Sequence, residues 1–124
     1  MVELECPPEV RAAALAALEA CGLADGHLTV ELVGEGRIRA LNRAHRGLDR
    51  PTDVLSFPVD GSASTAGPRE LGDVVICPAH TPDLDEATVH GILHLAGMDH
   101  ETDDGEMLAL QDRVVAELEP RRTR

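Results

Sequence analysis

Apolar and polar residues alternate singly at positions 2–6 (VELEC) and again at 27–33 (HLTVELV), the period of a half-buried strand. Between them, residues 9–21 (EVRAAALAALEAC) carry apolar positions at helical spacing, and Gly22 closes that run. A second helix is predicted near 36–46, entered through Gly34 and Gly36 and stopped by Gly47. Its Ile38, Leu41 and His45 share one face, and Arg39, Arg43 and Arg46 another. Residues 53–59 (DVLSFPV) follow Pro51 and predict a third strand, and the apolar run 71–77 (LGDVVIC) a central one. The small polar residues of 60–70 (DGSASTAGPRE) predict a mobile surface loop rather than a link between domains.

Thr81 and Pro82 predict the start of a third helix, as its cap and first helical residue, with acids at 83, 85 and 86 matched to the helix dipole. That helix runs to about Ala96, where Gly97 supplies a left-handed exit. A last helix begins near Asp103, pairs it with Glu106 as a capping box, and turns Met107, Leu110, Val114 and Leu118 inward. The order β-α-β-α-β-β-α-α predicts an α+β fold, a small mixed sheet of about four strands packed with helices, as a single domain over residues 1–124.

Composition narrows the function classes. The 124 residues are 43% hydrophobic and 27% charged, ordinary for a soluble globular protein, and the longest apolar runs fall far short of a membrane span. The N-terminus shows no basic-then-apolar signal, so a cytoplasmic protein with no membrane partner is expected. Three cysteines, Cys6, Cys21 and Cys77, lack metal-site spacing and read as small buried hydrophobes in a reducing compartment. A net charge of −12 argues against a non-specific nucleic-acid coat, and no DNA partner is expected. All 11 basic residues are nonetheless arginine, and Arg37, Arg39, Arg43, Arg46 and Arg50 lie in one stretch with a single acid, Asp49. Phe57 is the sole Phe, Tyr or Trp, which excludes an aromatic platform for stacking bases.

The chemistry concentrates in residues 90–100, HGILHLAGMDH. His90 and His94 stand one helical turn apart on one face, and Gly97 lets His100 fold back toward them. Three neutral imidazoles can hold a zinc ion and leave one position open, as catalytic sites do. The expected metal site thus lies on a helix and its following turn; zinc is favoured, although imidazole suits several metals. The stretch matches the zinc-peptidase pattern H-E-x-x-H-x-x-G-x-x-H except that Gly91 replaces the catalytic glutamate. A mid-helix glycine costs about 1 kcal/mol relative to alanine, so close approach of another backbone, or room for substrate, is expected there. Asp99 and Glu101 flank the last histidine as a further ligand, an acceptor orienting a ring, or solvated charge. A metallopeptidase or amidohydrolase using one of them as base stays open. His27, His45 and His80 lack such spacing and read as surface or strand residues.

HGILHLAGMDH, preceded by LNRAHRGLDRPTDVLSFP and LGDVVIC in that order, resembles the YbeY family of bacterial endoribonucleases over about residues 30–118. The resemblance implies a metal-dependent endoribonuclease that prefers single strands and acts in ribosomal RNA maturation, notably at the small-subunit 3′ end, and in ribosome quality control. Its implied partners are single-stranded regions of ribosomal RNA and the ribosome or its proteins. By position, His90, His94 and His100 match the family's zinc ligands, one ion per chain, and Arg46 matches an arginine of its catalytic cleft. Bidentate phosphate binding by a guanidinium suits that role, and solvated helix-end charge is the alternative for Arg46 taken alone. Two features depart from the family: only a short segment joins Cys77 to Val89, and Met98 stands where a tyrosine usually precedes Asp-His. A zinc-stabilised assembly factor with little catalysis of its own is a third reading.

Overall fold

The computed structural model describes residues 2–23, 26–58, 70–98 and 103–122. Strand β1 (Val2–Glu5) leads through helix α1 (Pro8–Ala20) to β2 (Gly26–Leu32), and helix α2 (Glu35–Arg46) leads to β3 (Val54–Pro58). Strand β4 (Glu70–Ile76) is followed by a 3₁₀ turn (Pro78–His80) and helices α3 (Leu84–Leu95) and α4 (Glu106–Arg122). The four strands form one sheet in the order β1-β2-β4-β3; β1, β2 and β4 run parallel, and β3 lies antiparallel on β4. This is the expected mixed α+β arrangement, with strand ends displaced by about one residue.

The unbroken apolar run of β4 is explained by its place in the sheet. Successive side chains point to opposite faces, and here both faces are covered. Val74 and Ile76 enter the main core with α1, α3 and α4, whereas Val75 and Cys77 pack with Ile38 of α2 and Leu55 of β3. Small residues let α1 lie close: Ala13, Ala14 and Ala17 are fully buried beside Val10 and Leu18. The helices behind the sheet set the site, because α3 packs on β3 and β4 while α4 packs on α3.

Two predicted helix starts shift inward. Asp83, not Thr81, caps α3: its carboxylate accepts the Glu86 N–H at 3.1 Å. Thr81 instead donates its hydroxyl to the Cys77 carbonyl at 2.7 Å, which closes the 3₁₀ turn and leaves no helical position for Pro82. Helix α4 begins at Glu106 rather than Asp103 because Gly105, at φ 95°, breaks the backbone between them. The capping acids still act, Asp103 accepting the Met107 N–H at 2.9 Å and Glu106 that of Asp104 at 2.9 Å. Of the predicted inner stripe, Met107, Val114 and Leu118 are buried, and Leu110 is only partly so. Gln111, four residues after Met107 and three before Val114, occupies the inward position instead.

Gly97 adopts φ 95° and the Met98 N–H reaches back to the Leu93 carbonyl at 3.1 Å, the left-handed exit expected for α3. Most of the predicted 60–70 loop, together with Asp99, His100 and Glu101, lies outside the described residues. Among the described residues no helix is long and apolar enough to cross a membrane.

Candidate functional site

His90 and His94 do converge. Their Nε2 atoms stand 3.1 Å apart, with ring centroids at 4.7 Å and planes at 75°. Two imidazole nitrogens at that separation repel unless a proton or a cation lies between them. Nitrogens bound to one tetrahedral zinc at ~2.0–2.1 Å are about 3.3 Å from each other, so the pair fits a shared metal ion. Among the described residues no third His, Cys, Asp or Glu joins them in a metal-sized cluster. His100, the remaining predicted ligand, lies outside the described residues.

The far nitrogen of His90 is also engaged. Its Nδ1 lies 2.7 Å from Oε1 of Gln111, which reaches across from α4 and is 6% exposed. An amide oxygen only accepts, so in the neutral ring this contact favours the tautomer with its proton on Nδ1 and Nε2 left to accept.

Gly91 faces away from this chemistry. A Cβ built there would lie 2.6 Å from Cγ1 of Val74, 3.2 Å from Cγ2 of Val54 and 3.2 Å from Oγ of Ser56. Position 91 is therefore where α3 presses onto β3 and β4, and the glycine serves close packing. The approaching groups are sheet side chains, not the backbone expected, and Gly91 is not among the residues lining the cleft described next. Ser56 reinforces the contact by donating its hydroxyl to the Gly91 carbonyl at 2.9 Å.

The histidine pair opens onto a cleft of about 870 Å³ that Arg46 lines as well. Strand β3 and the residues before it (Thr52 to Ser56) form one wall, α3 and its cap supply Asp83, Glu86, His90 and His94, and Met98, Leu108 and Gln111 are among the other lining residues. Arg46 ends α2, where Gly47 turns the chain at φ 71° with its N–H on the Arg43 carbonyl at 3.1 Å. Buried Asn42 holds that turn, donating its side-chain amide to the Arg50 carbonyl at 2.9 Å. Arg39, by contrast, forks onto Asp49 with contacts of 2.8 and 3.2 Å, which holds the Asp49 carboxyl below the usual range. Arg39 is thus engaged elsewhere, and neither it nor Arg43 lines the cleft. His45 packs on Phe57 at 4.7 Å, while His27 and His80 approach Glu5 and Glu35 at 3.4 and 3.5 Å.

Several cleft residues escaped the sequence reading. Asp53, Asp83 and Glu86 give it three carboxylates against the one guanidinium of Arg46. Periodicity could have drawn attention to Gln111, since a polar residue in an otherwise apolar helix stripe needs a buried partner. For Ser56 no comparable signal exists, because its partner is a backbone carbonyl 35 residues away.

A family model described as Endoribonuclease YbeY matches residues 7–119, a span holding Arg46, His90, His94 and Gln111. This chain belongs to the YbeY family. A YbeY relative from Nitrobacter hamburgensis, named an endoribonuclease, is 42% identical over 112 residues, covering 76% of this chain and 59% of the relative. One from Anaeromyxobacter is 42% identical over 123 residues, covering 89% and 63%, and one from Thermotoga maritima 38% over 111 residues, covering 77% and 70%. The chain thus spans about three-fifths of the first two YbeY relatives' length. A Thermotoga maritima protein solved in solution superposes at a TM-score of 0.58 with 29% identity, covering 99% of this chain and 93% of its own.

Proposed function

We propose that this chain is a metal-dependent endoribonuclease of the cytoplasm, acting as one domain on single-stranded regions of ribosomal RNA. Its task is maturation, notably of the small-subunit 3′ end, and quality control at the ribosome. The observation that carries the reading is that Arg46 and the His90–His94 pair line one cleft. His90, His94 and His100 would hold one zinc ion. When bound, that ion supplies Lewis acidity and an activated water near neutral pH.

The chain's own residues do the remaining work. The Arg46 guanidinium offers a planar fork to a phosphodiester oxygen and neutralises charge that builds as the bond breaks. Asp53, Asp83 and Glu86 make the cleft anionic, so a cation is needed before an RNA backbone is admitted. With no aromatic platform, the RNA is held by its backbone rather than by stacked bases.

The amidohydrolase reading, whose expected bases Asp99 and Glu101 lie outside the described residues, gains a different carboxylate: Glu86 lies one turn before His90 on α3 and lines the same cleft. Incubating the purified protein with single-stranded RNA and with unstructured peptide, with and without chelator, separates the two. RNA cleavage should require the metal. His94→Ala should lose both bound zinc and cleavage, whereas Arg46→Ala should keep zinc and cut about 10²–10³-fold more slowly. Cleavage by His94→Ala in a nuclease-free preparation would refute the mechanism, and peptide cleavage alone would favour the amidohydrolase. Normal ribosome association and an unaltered rRNA end with Arg46→Ala would favour the assembly-factor reading.

A further inference from the structure

We infer that Gln111 is a positioning residue that selects which nitrogen of His90 faces the cation. The inference rests on the metal reading above but concerns a helix outside the histidine motif.

Helix α4 buries Met107, Val114 and Leu118 against the main core, and its inward stripe is otherwise apolar. A leucine at 111 would continue that stripe, whereas a buried amide costs free energy unless its polar atoms are satisfied. Gln111 is 6% exposed, and its Oε1 meets His90 Nδ1 at 2.7 Å.

The consequence for His90 is chemical. A neutral imidazole carries one proton, and an amide oxygen at hydrogen-bond distance keeps it on Nδ1. The unprotonated nitrogen is then Nε2, the atom 3.1 Å from His94 Nε2. The opposite amide orientation would donate to Nδ1, move the proton to Nε2 and close His90 to a cation. Partners that fix a ligating imidazole in this way are worth 10–100-fold in metal affinity. A neutral amide performs the task without adding a fourth carboxylate to a cleft that already has Asp53, Asp83 and Glu86.

The test compares the parent with Gln111→Leu, which suits the apolar stripe, and Gln111→Glu, which retains an accepting oxygen. Long-range ¹H–¹⁵N spectra of chelator-treated protein, above the imidazole titration range, report the His90 tautomer. Competition with a chromophoric chelator reports affinity for zinc alone, and thermal melting confirms that each variant folds. The parent and Gln111→Glu should hold His90 with its proton on Nδ1. Gln111→Leu should populate the Nε2–H form and bind zinc about 10–100-fold more weakly, while Gln111→Glu stays within about threefold of the parent or binds more tightly. A folded Gln111→Leu protein that keeps both the tautomer and the zinc affinity would overturn the inference. A parent that binds no zinc would defeat the metal reading instead. The tautomer alone then judges Gln111, a shift in Gln111→Leu upholding its role and no shift refuting it.

Discussion

Replacing Gly91 with alanine sets two known quantities against each other. Alanine in a helix interior is favoured over glycine by about 1 kcal/mol, so a solvent-facing glycine would gain stability from the change. At position 91, however, the new Cβ would lie 2.6 Å from Cγ1 of Val74. Val74 is fully buried in the central strand β4, and its branched side chain has no flexible end to swing aside. Overpacking of this kind costs roughly 1–3 kcal/mol, to which displacement of Ser56 from the Gly91 carbonyl adds about 1 kcal/mol. The net expectation is a loss of about 1–3 kcal/mol, a fall in Tm of roughly 3–12 °C for a chain of this size. Urea unfolding followed by circular dichroism measures it. The control is Val74→Ala, which removes the offending methyl: in that background Gly91→Ala should turn neutral or stabilising. A single Gly91→Ala variant that melts at or above the parent would refute the close-packing account of this glycine.

Asp83→Ala should cost about 1 kcal/mol by removing the cap of α3, with Asp83→Asn recovering most of it in thermal melts. Burial pushes the Cys21 thiol above its ordinary pKa, and that of Cys6 likewise. Because the folded value exceeds the unfolded one, this contribution to stability is present at neutral pH and is lost as pH rises through the folded value. The alkylation-rate profile of Cys21 against pH should accordingly be displaced upward in the folded protein relative to the urea-unfolded chain; coincident profiles would contradict it.

The fold was legible because nearly every element carries a local signal. The alternation at 27–33, the alanine run of α1, the stops at Gly22, Gly47 and Gly97 and the apolar run of β4 are all read within a few residues. The errors lie where two local signals compete. Thr81-Pro82 and Asp83 both resemble a helix start, and the choice depends on whether the Thr81 hydroxyl is needed by the Cys77 carbonyl, a contact of the preceding turn. Asp103 and Glu106 both cap, but each accepts an N–H one residue beyond the one a capping box would use, because Gly105 takes the positive φ that delays α4. The site divides in the same way. The i, i+4 spacing brings His90 and His94 together by itself, whereas Arg46 joins them only because α2 and α3 flank β3 on its two faces. The spacing within α4 marks Gln111 as an inward polar residue, but its pairing with His90 required the docking of α4 on α3, which no spacing within one segment encodes.

Tertiary packing also changes what the missing glutamate means. The motif comparison treats position 91 as a peptidase residue that has been lost, as if restoring it would restore the chemistry. In this fold the side chain at 91 is directed into the seam between α3 and the sheet, where Val74, Val54 and Ser56 already leave no space for a Cβ. A carboxylate forced there would be buried without a partner, which costs far more than the hydrogen bonds it could make. The glycine and the serine–carbonyl bond instead draw the histidine helix close to β3, the strand whose leading residues share the cleft with Arg46. The residue that excludes a peptidase base is thus also the one that lets the two halves of the cleft approach each other. In the nuclease reading, a glutamate at position 91 is not an absent catalytic part but a group that would separate the parts present.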